Sequence, residues 1–104
     1  MIIKLSPSRR DDTLTVEKRG DALILNGEAF DLARLPDGGT LPSTAIDSPW
    51  FAGDVHRQGG ELVVTLILPL PINYSPAQAY PDDLVDVADG DVVLPGALPL
   101  ELYE

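Results

Sequence analysis

LTVEKRGDALILNGEAFDL, residues 14–32, decides the fold. Leu14 and Val16 alternate with Thr13, Thr15 and Glu17, the period of two that suits a strand with one buried and one wet face. Arg19-Gly20-Asp21 interrupts the pattern with turn formers, and residues 22–25 are a continuous apolar run that reads as a short strand covered on both faces. Asn26-Gly27 is the strongest local signal in the chain. A two-residue type I′ turn needs positive φ at both central positions, which Asn followed by Gly adopts with least strain. Beyond it Glu28, Phe30 and Leu32 alternate with Ala29 and Asp31. The stretch predicts a β-meander of three strands. Arg19-Gly20-Asp21 also spells an adhesion tripeptide, but Gly and Asp serve a turn for backbone reasons alone, and it is read as a turn.

Working outward, residues 50–57 and 61–68 flank Gln58-Gly59-Gly60 and predict a second hairpin. Its return strand places Leu62, Val64, Leu66 and Leu68 on one face and Val63 and Ile67 on the other, so it is expected to be the most buried strand. Ile2, Ile3 and Leu5 predict an opening strand at a sheet edge, and residues 6–12 an exposed connection. Between the two hairpins periodicity fades. Leu35-Pro36-Asp37-Gly38-Gly39-Thr40 is a turn. Residues 43–47 suggest one helical turn capped by Ser43, with Leu41, Ala45 and Ile46 dipping toward the core.

The composition changes after Leu68. Pro69, Pro71, Pro76 and Pro81 interrupt ladder pairing and favour extended, polyproline-like backbone. Residues 69–83 read as an arm, residues 84–94 as a short hairpin bent at Asp89-Gly90-Asp91, and residues 95–104 as an apolar tail. The expected architecture is all-β: a small antiparallel sandwich or open barrel over residues 1–68, built from meander and hairpin, followed by an acidic, Pro-rich arm over 69–104.

At 104 residues the chain is expected to be one unit with a small core, and its apolar fraction of 44% is ordinary for a globular protein. No apolar run approaches the roughly 20 residues that span a bilayer. The first residues, Met-Ile-Ile-Lys-Leu, lack the marks of a secretory leader, so synthesis in the cytoplasm is expected. Without Cys there is neither disulfide nor thiolate chemistry. The net charge of −10 is uneven. Residues 1–57 hold nine acids and seven bases, and residues 58–104 hold eight acids and no base. Phosphate backbones and anionic membranes repel such a surface, so neither nucleic acid nor membrane is an expected partner.

Catalytic signatures are missing. His56 is the single histidine; Asp54, two residues away on the same strand face, and Glu61 across the hairpin would make at most a weak metal site. Ser6, Ser8, Ser43, Ser48 and Ser75 lack a nucleophile elbow. Asp82, Asp83, Asp86, Asp89 and Asp91 lack the ordered loop that calcium requires. Gly38-Gly39 and Gly59-Gly60 precede no helix that could take a phosphate. No catalytic residue, metal or cofactor is expected. What rises above background is contact surface: Trp50, Tyr74 and Tyr80, with Leu100 and Tyr103 in the tail, are candidates for meeting a partner. Core packing is the competing reading for Trp50, as for Phe30 and Phe51.

Leu14-Thr15-Val16, Gly20-Asp21, Leu23, Asn26-Gly27-Glu28, Phe30-Asp31-Leu32 and Leu35-Pro36-Asp37-Gly38, with Trp50-Phe51, Gly53-Asp54-Val55 and Gly60-Glu61-Leu62, resemble small uncharacterised proteins encoded in prophage regions near tail genes. The resemblance covers about residues 1–70 and rests on turns and core positions. It implies a phage-derived structural or tail-assembly accessory, with no catalytic residues to carry over. The expected activity is protein–protein contact or self-association through strand edges and the 69–104 arm, with virion association as one destination. The alternatives are a ligand- or carbohydrate-binding module using Trp50 and the tyrosines, and a weak metal-dependent enzyme around His56.

Overall fold

A computed structural model describes residues 1–98. In chain order the strands are β1 (Ile2–Arg9), β2 (Val16–Arg19), β3 (Ala22–Leu25), β4 (Glu28–Asp31), β5 (Thr40–Leu41), β6 (Val55–Gln58), β7 (Glu61–Leu70) and β8 (Gly90–Val92). A 3₁₀ turn spans Ser43–Ala45 and one short helix, α1, spans Pro76–Ala79. Two four-stranded sheets result, ordered β1-β7-β6-β5 and β4-β3-β2-β8. The protein is mostly β and the sheets do not close into a barrel, so the sandwich is the form adopted.

The meander forms as its turns dictate. Asn26 and Gly27 have φ of +50° and +84°, the pair of positive angles a type I′ turn demands. The Asn26 side chain also staples the strand entry: its Oδ1 accepts from the Thr15 amide at 2.7 Å and its Nδ2 donates to the Thr13 carbonyl at 3.0 Å. Gly59 and Gly60 make the equivalent turn between β6 and β7, with φ of +58° and +79°. Arg19-Gly20-Asp21 is indeed a turn, joining β2 to β3. β3 departs from expectation: Leu23 and Leu25 are buried but Ala22 and Ile24 are half-exposed, because this sheet packs on one face only.

β7 is the central strand of its sheet, and Leu62, Val64, Leu66 and Leu68 are at most 2% exposed. Leu62, Val64 and Leu66 share one core cluster with Ile3 and Val55 from their own sheet and Val16, Leu23 and Leu25 from the other. Leu14, Leu32, Trp50 and Phe51 complete the core, where Phe30 meets Phe51 edge-on at 5.3 Å. The second hairpin is bulged. His56 pairs with Val63 and Phe51 with Leu66, so five steps along one strand oppose three along the other, and Gly53 and Asp54 take up the excess. The Asp54 carboxylate accepts from the Ser43 amide at 2.9 Å. That bond, rather than a Ser43 cap, begins the short 3₁₀ turn that replaces the expected helical turn.

One pairing in the otherwise antiparallel sheets is parallel: β1 lies parallel to β7 over eight residue pairs, from Ile2↔Val63 to Arg9↔Leu70. Its prolines fit this register. The Ile3 amide and carbonyl both bond Leu84 at 2.8 Å, so odd residues of β1 point their amides away from β7, and Pro7 loses a donor only on the open side. On β7 the Ile67 amide bonds the Trp50 carbonyl at 2.8 Å. Pro69, two residues on, therefore lacks its donor where the ladder to residues 50–58 has already ended.

Residues 84–94 do not form the expected hairpin. Leu84 pairs with Ile3 on one sheet, and β8 pairs with β2 on the other, Val92 opposite Val16. The segment is a strap across the sandwich, because its apolar residues Leu84, Val87, Val92 and Leu94 find the core margin and not one another. Asp89 fastens it: the carboxylate accepts from Lys18 Nζ at 2.7 Å and from the Gly20 amide at 3.1 Å. Those two hydrogen bonds, with the charge of Lys18, hold the Asp89 carboxyl below the ordinary carboxylate range. A second tie reaches the same β2–β3 turn from the other sheet. Arg57, its side chain 13% exposed, donates Nε to the Leu35 carbonyl at 2.6 Å and Nη2 to the Leu32 carbonyl and the Asp21 carboxylate at 3.3 and 3.2 Å.

Arg57→Ala should cost about 1–3 kcal/mol of unfolding free energy, since it strands the half-buried Leu35 carbonyl and leaves the Leu32 carbonyl with the Leu35 amide alone. Arg57→Lys should recover less than half, because an ammonium cannot span that fork of acceptors; urea midpoints of the three proteins check this. For Asp89 the ionised form is favoured in the folded chain, so its contribution is complete above the unfolded value of about 4 and fades as pH falls below it. Asp89→Asn should lower the urea midpoint at neutral pH, and the gap to the wild type should close as pH falls below about 4.

Candidate interaction surface

Where β7 ends, Pro71 and the residues after it leave the sheet, and the expected extended arm is instead folded around a turn of helix. Ser75-Pro76-Ala77-Gln78 is a capping box with proline at the first helical position. The Gln78 amide donates to Ser75 Oγ at 3.2 Å, and Gln78 Oε1 accepts from the Ser75 amide at 3.0 Å. Ser75 Oγ donates onward to the Gly96 carbonyl at 2.7 Å. Asn73 and Leu98 exchange two bonds: the Leu98 amide reaches the Asn73 carbonyl at 2.9 Å and Asn73 Nδ2 reaches the Leu98 carbonyl at 2.6 Å. Residues 73–80 and 96–98 are thus held to each other by their polar groups.

The side chains of this region are distributed the wrong way round for a free-standing surface. Ser75 and Gln78 are buried, at 7% and 6% exposure, and every buried side-chain polar atom among the described residues has a partner. Ile72, Tyr74 and Tyr80 stand outside at 81%, 47% and 85%. With Pro76, Ala79 and Leu98 they line an open groove of about 480 Å³. An apolar patch carried on a hydrogen-bonded scaffold is the arrangement of a contact site.

Of the aromatic and apolar residues expected to meet a partner, the structure therefore brings Tyr74 and Tyr80 together. Trp50 does not join them. It is 8% exposed, belongs to the core, and carries the Arg10 guanidinium 4.3 Å from its ring centroid, so the core-packing reading replaces the surface reading for this residue. Leu100 and Tyr103 lie outside the described residues. Ile72 was missed as a surface residue, although it stands just before Asn73 and Tyr74 in a stretch too rich in proline to be a central strand. The Ser-x-x-Gln spacing that builds the platform was also present to be read.

The residues weighed as a metal site are drawn apart by separate partners. His56 Nδ1 lies 3.1 Å from Thr40 Oγ1, Asp54 holds the Ser43 amide, and Glu61 pairs with the Met1 amino group at 2.8 Å. Among the described residues no group of three or more His, Asp or Glu is placed to hold a metal ion. His56 does line a second depression, of about 390 Å³, on the outer face of the β1–β7 sheet, where it shares an apolar floor of Ile2, Val63 and Val85 with Lys4 and Asp83. Among the described residues no helix is long and apolar enough to cross a membrane. Compared with family models, curated proteins and solved structures, the chain finds no match in any of the three.

Ser75→Ala removes the helix cap and the donor to Gly96 together. It should cost about 1–2 kcal/mol. Hydrogen exchange should locate the loss, with faster amide exchange at Gln78 and Leu98 and unchanged protection in β7.

Proposed function

We propose that the protein is a non-enzymatic, phage-derived structural or tail-assembly accessory that works by protein–protein contact. The observation that carries the reading is the groove of Ile72, Tyr74, Tyr80 and Leu98, apolar outside and polar within. Burial of a tyrosine pair and an isoleucine supplies the kind of anchor that dominates interface energetics. The phage origin is supported by the resemblance of about residues 1–70 to small prophage proteins. On this reading the protein is made in the cytoplasm and carried into, or used to build, the particle.

A second reading, a small ligand- or carbohydrate-binding module, is favoured by one observation: Tyr74 and Tyr80 face the same groove, as sugar-stacking rings would. Trp50, the ring best suited to that task, is inside the core.

Fractionation of induced phage particles on a density gradient separates the two. The protein should co-migrate with tails or tail intermediates, and a variant carrying Ile72→Ser and Tyr80→Ser should migrate free while melting within about 2 °C of the wild type, as exposed substitutions do. Absence of the wild-type protein from every particle fraction, with glycan-array binding that Tyr80→Ser abolishes, would instead establish the module.

A further inference from the structure

The groove itself is lined by uncharged residues, and the charge of the chain that carries it narrows what can occupy it. Residues 58–98 contain Glu61, Asp82, Asp83, Asp86, Asp89 and Asp91 and no Lys or Arg. Glu61 and Asp89 are neutralised within the fold, by the Met1 amino group and by Lys18. Asp82, Asp83, Asp86 and Asp91 are exposed and, among the described residues, form no ion pair. Asp82 and Asp83 follow Tyr80 by two and three positions. Two bases at the foot of this region are engaged: Arg9, which donates to the Leu70 carbonyl, pairs with Asp11, and Arg10 pairs with Asp12. Lys4 stands on the other side, in the outer-face depression it shares with Asp83.

Deepening the contact reading, on which it rests, we infer that the Tyr74–Tyr80 groove receives a partner segment that is basic and apolar at once: one or two aliphatic or aromatic side chains flanked by Lys or Arg. The apolar anchors fill the space between Ile72, Tyr74, Tyr80 and Leu98, and the flanking cations meet the unpaired aspartates. Division of labour follows from range. Apolar burial acts only in contact and sets the lifetime of the complex, whereas charges act across about 8 Å at physiological salt and select the partner as it approaches. A second copy is the wrong occupant. A two-fold contact places the same patch on both sides, and here it would set Asp82 and Asp83 against their own counterparts on molecules that each carry −10. Nucleic acid and anionic bilayers meet the same repulsion.

The experiment is selection from a random peptide library displayed against the full chain, counter-selected on the variant carrying Ile72→Ser and Tyr80→Ser. Both residues are more than four-fifths exposed, so the variant keeps the fold, and its melting temperature verifies this. Retained peptides should combine at least one large apolar residue with a net positive charge. A synthesised winner should lose about tenfold in affinity on Tyr80→Ser and about threefold on Asp82→Asn with Asp83→Asn, and should weaken as salt rises. Neutral or acidic winners, binding that the double variant retains, or no enrichment would each overturn the inference. So would a concentration-dependent dimer in light scattering that Tyr80→Ser dissolves. Co-migration with particles that the double variant loses, without preference for basic peptides, would leave the contact reading standing and remove this partner class.

Discussion

Burial of one face of β7 is the constraint on which the molecule depends. Each fully buried Val or Leu side chain contributes about 1.5–3 kcal/mol, so Leu62, Val64, Leu66 and Leu68 together match the whole net stability of an ordinary domain, about 5–15 kcal/mol. Every other element is placed by the need to keep that face dry. β1 and β6 flank it in its own sheet, and β2 and β3 cover it from the opposite one with Val16, Leu23 and Leu25. Prolines are admitted only where the ladder is open, at Pro7 and Pro69.

Against that background the polar ties decide alignment more than cohesion. Arg57 and Asp89 both fasten the turn at Gly20-Asp21, and each joins segments far apart in the chain. The exposed pairs Arg9–Asp11 and Arg19–Glu17 join near neighbours, and such pairs contribute at most about 1 kcal/mol. The same contrast explains the groove. At residues 73–80 the hydrogen-bonding groups are consumed in holding the backbone to residues 96–98, so what remains to face outward is apolar.

Features governed by local chemistry were legible in the sequence. Asn26-Gly27, Gly59-Gly60 and the alternation of 61–68 specify backbone angles or a buried face within a few residues, and each folds as read. What needed a distant partner was not legible. No residue in 2–9 announces that its neighbour is 63–70 or that the pairing is parallel. Val92 carries no mark that its partner is Val16 and not Leu84. Trp50 shows the limit of residue identity: an aromatic suits core and interface alike, and the placement of Arg10 over its ring, invisible in the sequence, goes with the buried choice. Within the groove, Tyr74 and Tyr80 could be nominated, but only the capped turn at Ser75 brings them to one side.

The pairing of Ile2–Arg9 with residues 63–70, and of Val16–Lys18 with residues 90–92, gives the chain an interleaved order with biosynthetic consequences. The meander and the second hairpin can close as they emerge from a ribosome, but the first strand made must wait for about sixty further residues before its neighbour exists. Contacts of such separation slow folding toward the millisecond-to-second range. Throughout that delay Ile3 is uncovered, and it is then, rather than in the finished sandwich, that the nascent chain is most open to capture by chaperones.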